Sequence, residues 1–474
     1  MKLKSLLPLT VLFLVFVQEA FSQYKINVDI KDCKDTALVL GYYYLDKTYA
    51  LDTAFSKSGD FKFRSKEKKL DDGLYFFSTF DGRFCEFIID KDMNFTLKTQ
   101  EGDWAGQMKV RGSKPSEQYF EYIKASNLLS DKARELSMRK DSLTEEEYDE
   151  KIKVLRLQND TLKEEFIKKY PDNLLSKVLQ ATKPVIVPQM EVPVNDEGTQ
   201  DSALWNMQRW VYYKHHYFDN VDLTCDGLLH TPAAVFYRNY NRYWDEVMKY
   251  ESNDSILYYA SLLIDKSRGS EKMFRFLLHN ITERYLQSPI MGHDKIYVEM
   301  IKRYFKSGEA DWLAPSDIEK EVARAEKWEN LLIGKLVPNI ACPDTNNIWH
   351  DVYSLEADYK IVIFWSPDCG HCSTEIPKLY DFYSKNRDKY KIKVFAINTE
   401  DNIEHWKKFI VEKGLNWINV NGLVANFDWR DYFDIVKTPV IFILNKDNVI
   451  VAKNVQADNM EAIMELLKEG KLKF

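Results

Sequence analysis

Cysteine and glycine are scarce in this chain, at six and 17 of 474 residues. So few cysteines cannot hold a disulfide scaffold, and so little glycine excludes a collagen-like chain. A Lys/Arg-rich stripe is also missing. The 66 basic and 73 acidic residues leave a net charge of −7, which argues against a nucleic-acid partner. No segment repeats at a fixed period, so a solenoid is not expected. Beyond the first 17 residues no apolar run approaches the roughly 20 residues needed to span a bilayer. Aromatics, in contrast, are plentiful: 28 Tyr, 27 Phe and 11 Trp, in a chain 45% hydrophobic and 29% charged. This is a globular composition with several dense cores or surfaces facing protein or carbohydrate. Its length calls for roughly two to four domains.

The N-terminus points to export. Lys2 and Lys4 form a basic start, Ser5 to Val17 is almost wholly apolar, and Ala20-Phe21-Ser22 places small residues where a signal peptidase reads. Residues 1–22 are therefore read as a signal peptide cleaved before Gln23. No cysteine near that point could carry a lipid. Losing Lys2, Lys4 and Glu19 leaves 64 basic and 72 acidic residues, a net charge of −8. The expected location is the periplasm or cell envelope, with no integral membrane span after cleavage.

Three further regions follow. In 23–112, Lys25–Ile30, Thr36–Tyr44, Phe61–Phe63 and Phe84–Asp90 alternate or run apolar. Gly59-Asp60, Asp71-Asp72-Gly73, Asp81-Gly82 and Asp92-Met-Asn94 interrupt them with turn chemistry, which predicts an antiparallel β-sandwich. Residues 113–333 read as an all-α domain. Thr144-Glu-Glu-Glu147 is a capping-box pattern, and Tyr148, Ile152, Leu155, Leu162, Phe166 and Tyr170 continue one amphipathic helix up to Pro171. Pro184, Pro188, Pro193 and Gly198 mark an irregular loop before helical patterns resume. Residues 334–474 alternate strand and helix. Ile361–Phe364 and Lys393–Ile397 are buried-type strands, and Val440–Leu444 with Val449–Val451 form a hairpin. Thr374–Tyr383, His405–Glu412 and Met460–Leu467 supply helices of an α/β domain.

The chemistry concentrates in Cys369-Gly370-His371-Cys372. Cys33, Cys85, Cys225 and Cys342 stand apart and read as small buried hydrophobes, and whether Cys33 and Cys85 pair is left open. The C-x-x-C, however, follows a strand and opens a helix. Unpaired N–H groups and the helix dipole at that end stabilise a thiolate on the first cysteine, and the second, one turn inward, can attack a mixed disulfide. His371 can add positive charge or a proton. Zinc would need a second Cys/His pair at suitable spacing, and a c-type haem needs His directly after the second Cys, where Ser373 stands. A peroxiredoxin could use Ser366 three residues before Cys369 but would not require Cys372. Neither a metal nor a cofactor is expected.

Phe364-Trp365 through Pro377, with Lys437-Thr438-Pro439 ahead of a strand, resembles the thioredoxin fold, and more narrowly the TlpA/ResA-like thiol–disulfide oxidoreductases exported by bacteria. The leading segment Val337-Pro-Asn-Ile-Ala-Cys-Pro-Asp344 and a helix inserted near Asn402–Gly414 belong to the same resemblance, which covers about 334–474. The preceding regions resemble, more loosely, uncharacterised modules of Bacteroidota-type envelope proteins, Tyr213-Lys-His-His-Tyr-Phe-Asp-Asn220 among the segments. The resemblance implies that Cys369 is the nucleophile and Cys372 the resolving thiol. Pro439 matches the proline that is cis in this fold, with the Thr438 backbone pairing with a substrate strand and Trp365 beside the substrate. Glu375 matches a carboxylate near the dithiol in the ResA-like group, against the plainer reading of an exposed acid in the first helical turn. Ile363 stands where thioredoxin itself buries an acid, and the Gly-His pair resembles disulfide isomerases, so the direction of electron flow stays open.

The implied function is an extracytoplasmic thiol–disulfide oxidoreductase acting on cysteine-containing exported proteins, with a membrane electron donor as a further partner. The alternative is an envelope binding or assembly protein whose thioredoxin-like domain serves mainly for docking. His215 and His216 point to different helix faces and, with Tyr212, Tyr213, Tyr217 and Phe218, read as aromatic packing rather than a metal-ligand set. Phe236, Tyr237, Tyr240, Tyr243 and Trp244 read as core, and the Lys151–Lys169 charge run as a solvated helix face.

Overall fold

A computed structural model describes residues 23–472; the signal-peptide reading of 1–22 lies outside them. The chain divides into two compact units between Val247 and Met248. The first opens with eight strands: β1 (Tyr24–Lys31), β2 (Ala37–Tyr44), β3 (Lys47–Phe55), β4 (Asp60–Ser65), β5 (Gly73–Ser78), β6 (Phe84–Ile89), β7 (Asn94–Gln100) and β8 (Lys109–Arg111). They form two four-stranded sheets, ordered β4-β1-β7-β8 and β3-β2-β5-β6. In β1 the period of two buries Tyr24, Ile26, Val28 and Ile30, as a half-buried strand requires. Phe87 of β6 meets Phe95 of β7 at 5.8 Å, joining the apolar faces of the two sheets.

The pairing is antiparallel except between β1 and β7, which run parallel. Neither that exception nor β3 is visible in the sequence pattern. β3 lies at a sheet edge with most of its residues at least partly exposed, so no face is selected for apolarity.

Two 25-residue helices follow, α1 (Lys114–Met138) and α2 (Glu145–Lys169). The capping box forms as expected: Thr144 Oγ1 accepts the Glu147 N–H at 3.2 Å, and Glu147 Oε2 accepts the Thr144 N–H at 3.1 Å. Shorter helices α3 (Leu174–Ala181), α4 (Ser202–His216) and α5 (Tyr237–Arg242) complete this unit. On α4 the His216 ring stacks on Tyr212 at 4.0 Å, as aromatic packing predicts. Phe236, Tyr240, Tyr243 and Trp244 are buried core.

The second unit begins with α6 (Asn253–Lys266), α7 (Glu271–Leu286), α8 (Asp294–Met300) and α9 (Pro315–Glu329). A small hairpin, β9 (Ala341–Pro343) with β10 (Trp349–Asp351), leads into the α/β domain. That domain runs β11 (Tyr359–Trp365), α10 (Cys372–Tyr390), β12 (Ile392–Asn398), α11 (Ile403–Lys413), β13 (Ile418–Asn421), β14 (Val440–Asn445), β15 (Ile450–Lys453) and α12 (Met460–Lys468). Its sheet is ordered β13-β12-β11-β14-β15. β11 is parallel to β12 and antiparallel to β14.

Central β11 is buried on both faces, which explains why its sequence runs apolar without alternation. Ile361, Ile363 and Trp365 enter a core with residues of α10, α11 and α12. Val362 and Phe364 enter another with Val337, Cys342, Trp429 and Phe433. This is a thioredoxin fold.

Within this second unit the α-helices are tied to the sheet by polar groups. Trp328 Nε1 donates to Asp434 Oδ2 at 2.8 Å, and Lys453 Nζ donates to the Leu331 carbonyl at 2.9 Å. Lys453 also forms an ion pair with Asp294 at the start of α8, with both side chains largely buried. Removing one member strands the other charge. Lys453→Ala is expected to cost about 3–5 kcal/mol in urea unfolding, and adding Asp294→Asn should recover part of it. A loss as small as that of a surface pair would contradict this assignment.

Candidate active site

The end of β11 delivers the dithiol. Trp365 is its last residue, Ser366 to His371 turn the chain, and α10 starts at Cys372. The turn closes through the Cys369 N–H to the Ser366 carbonyl at 3.2 Å. Cys369 is half-buried at the rim, whereas Cys372 is 0% exposed. The Cys369 thiol donates a hydrogen bond to the Thr438 carbonyl at 3.1 Å, and the Cys372 N–H points to Cys369 Sγ at 3.4 Å. The Thr438–Pro439 peptide is cis, as the resemblance implied. Cys369, Cys372 and Thr438 are thus brought together from two distant segments.

The two thiols are tuned in opposite directions. For Cys369 partial burial acts to raise the pKa. Hydrogen bonds from the Thr438 side chain, the Cys372 backbone and thiol, and the His371 backbone outweigh it and hold the thiol below its ordinary value. For Cys372 burial dominates and pushes the thiol up to about 12. The N-terminus of α10 supplies the donors that its first turn leaves unpaired. The accessible thiol therefore gives up its proton more readily than its buried neighbour.

Other expected site residues are placed differently. Trp365 was expected beside the substrate, but it is 0% exposed and packs on Phe409 at 5.3 Å, so its side chain offers no contact surface. His371 is exposed at the N-cap position, where its backbone N–H contributes to Cys369. Glu375 is not an exposed helix acid. It is 7% exposed, accepts the Ala457 N–H at 3.0 Å, and pairs with Lys378 at 3.2 Å. Its carboxylate joins α10 to the turn before α12.

Glu400, His405 and Asn398 stand around the turn, and sequence reading missed them. Asn398 ends β12, the strand parallel to β11, and Thr399-Glu400 follow it, so their position at the carboxyl end of a neighbouring strand was the available signal. Among the described residues, two groups bring three potential metal ligands together. One, Cys33, Asp35 and Glu101, is occupied by Arg83, which pairs with both acids at 2.5 Å. The other is Asp368, Glu400 and His405, joined by hydrogen bonds among themselves. All six cysteines, Cys33 and Cys85 included, are free thiols.

Residues 333–453 match the AhpC/TSA family, and 24–119 match a domain of unknown function, DUF4369. The thiol-disulfide oxidoreductase ResA of Bacillus thuringiensis is 21% identical over 146 residues, covering 30% of this chain and 81% of that protein. A solved domain of a "possible thiol-disulfide isomerase" from Cytophaga hutchinsonii is 38% identical, covering 29% of this chain and 95% of its own, at a TM-score of 0.28. A thioredoxin-like protein from Bacteroides caccae covers 59% of this chain and 99% of its own at 19% identity, with a TM-score of 0.47. The Cys369/Cys372 pair lies within the AhpC/TSA match, and the similar proteins named above are described as thiol-disulfide oxidoreductases or isomerases.

Two measurements check this geometry. In the reduced protein near neutral pH, one equivalent of iodoacetamide should modify Cys369 ahead of the other five cysteines, as read by peptide mass spectrometry. Preferential labelling of Cys33 would contradict the tuning described above. Glu375→Ala should cost about 1–3 kcal/mol, because it strands the buried Ala457 N–H; thermal unfolding would show it, and a change of a few tenths would not fit.

Proposed function

We propose that this chain is an exported thiol–disulfide oxidoreductase that exchanges the Cys369–Cys372 dithiol with disulfides of cysteine-containing proteins. The observation that carries this reading is the opposite tuning of two adjacent thiols, one accessible and one buried, facing Thr438 and Pro439. Cys369 thiolate attacks one sulfur of a substrate disulfide, forming a mixed disulfide and releasing one substrate thiolate. Cys372 then loses its proton and attacks Cys369 Sγ, forming the intramolecular disulfide and releasing the second thiolate. The substrate is reduced by two electrons and the dithiol is oxidised by two; a thiol donor restores it, and the reverse sequence oxidises a substrate dithiol.

Within this reading Thr438 and Pro439 line the substrate groove. The Thr438 carbonyl, now held by the Cys369 thiol, becomes free to pair with a substrate backbone once that sulfur is in a disulfide. His371 adds charge near the nucleophile, and Glu375, one turn beyond Cys372, accepts its proton. The signal-like residues 1–22 support a periplasmic or envelope location. Among the described residues no helix is long and apolar enough to cross a membrane. The β-sandwich at 23–112 and the helical region at 113–333 are proposed as modules accompanying the redox domain at 334–474.

Turnover and trapping test the proposal. Purified protein should reduce a model protein disulfide with dithiothreitol as donor, and Cys369→Ser should abolish this. Cys372→Ser should accumulate mixed disulfides on Cys369, since the resolving thiol is gone. Absence of both turnover and Cys369-dependent adducts would leave the docking alternative in place.

A further inference from the structure

Glu400 is a carboxylate placed where the fold otherwise needs none. It lies just after β12, 8% exposed, and each oxygen is engaged. Oε2 accepts the Ser366 hydroxyl and the Asp368 N–H, both at 3.3 Å. Oε1 meets His405 Nδ1 at 3.1 Å, and the same nitrogen lies 3.0 Å from Asp368 Oδ1. Ser366 and Asp368 belong to the turn that presents Cys369.

The Glu400 backbone is itself held from behind. Asn398, fully buried, donates from Nδ2 to the Glu400 carbonyl at 2.8 Å and accepts the Glu400 N–H on Oδ1 at 3.1 Å. Between them the Thr399 N–H donates to the Trp365 carbonyl at 2.9 Å. The end of β12 thus grips the chain from Trp365 to Asp368 through backbone and side chain together. A buried carboxylate is costly unless its lone pairs are satisfied. Here one oxygen is spent on the two residues that set where the next sulfur lies, and the other on His405.

We propose that Glu400 is the positioning residue of the dithiol turn: clamped by Asn398 and His405, it holds Ser366 and Asp368 so that the donors at the start of α10 meet Cys369 Sγ. It does not touch the reacting atoms. His405, between Glu400 and Asp368, keeps two carboxylates together beside the nucleophile. The charged and titratable groups around the turn are Asp368, His371, Cys372, Glu400 and His405, on the turn itself, at the start of α10, after β12 and on α11. The inference deepens the proposed function and rests on the same turn. Its test does not require turnover.

The test is the pH dependence of iodoacetamide alkylation at Cys369 in the fully reduced chain, followed on the Cys369 peptide. Glu400→Ala removes the acceptor, and the midpoint should rise by about half a pH unit or more as the donors lose alignment. Glu400→Gln keeps an acceptor oxygen for Ser366 and Asp368 without the charge, and should restore the midpoint to the wild-type value or slightly below. A charge effect alone would lower the midpoint equally in both variants, which would overturn the proposal, as would a folded Glu400→Ala with an unchanged profile. Should Glu400→Ala not fold, Ser366→Ala, which removes the hydroxyl that bonds the carboxylate and also accepts the Asp368 N–H at 3.1 Å, should raise the midpoint by a smaller step; an unchanged midpoint there would overturn it. Wild-type protein alkylated normally yet inactive toward disulfides would count against the oxidoreductase reading and leave the Glu400 assignment to these profiles.

Discussion

Burial of β11 on both faces governs the C-terminal domain. Its apolar side chains join two cores, so the strand cannot slide or tilt without opening one of them. Its end is therefore a fixed point, and the turn after Trp365 starts from a defined position. The first sulfur falls at the rim and the second, three residues on, falls inside. Desolvation then separates their proton affinities, because the charged form of a thiol is disfavoured wherever water is excluded. Two chemically identical side chains acquire different roles from a difference in depth.

The buried charged groups of this unit are each met by partners, whereas the indole N–H groups of Trp365 and Trp406 are buried without one. Lys360 opens the apolar stretch of β11 and is nearly inaccessible, yet its ammonium donates to the carbonyls of Val352 and Tyr353 and to Asn448 Oδ1. Burial pushes its pKa down. Lys453 plays a comparable part on the edge strand β15, reaching Asp294 and the Leu331 carbonyl. These lysines tie connecting segments to the sheet by direction as well as by area, since an ammonium is tolerated in the interior only where several acceptors converge. Glu400 and Glu375 follow the same logic with the opposite charge.

The site was legible in the sequence wherever chemistry and local order coincide. A C-x-x-C at a strand-to-helix junction identifies itself, and Lys437-Thr438-Pro439 before a strand marks the facing loop. The long helix ending at Lys169 was readable from its cap and its period. Other features were not. Trp365 looks like a contact residue because it neighbours the motif, but strand alternation turns it into the core. Glu375 looks solvated because most acids in a first helical turn are. Its burial depends on Ala457, 82 positions away. β3 and the parallel pairing of β1 with β7 leave little local trace, since an edge strand needs no apolar face and pairing direction is set by the chain's path.

The sequence by itself determined which atoms can do chemistry: two thiols at the spacing of one helical turn, a proline after threonine, and a dipole-bearing helix start. It also determined the order of strand and helix, since periodicity and caps act over a few residues. Only the tertiary structure decided which thiol is wet and which is dry, because depth is a property of the packed sheet. The partnership of Glu400 and His405 with the turn was likewise decided there. Those residues lie 32 and 37 positions beyond Asp368, and only the parallel pairing of β11 with β12 places their segment beside it.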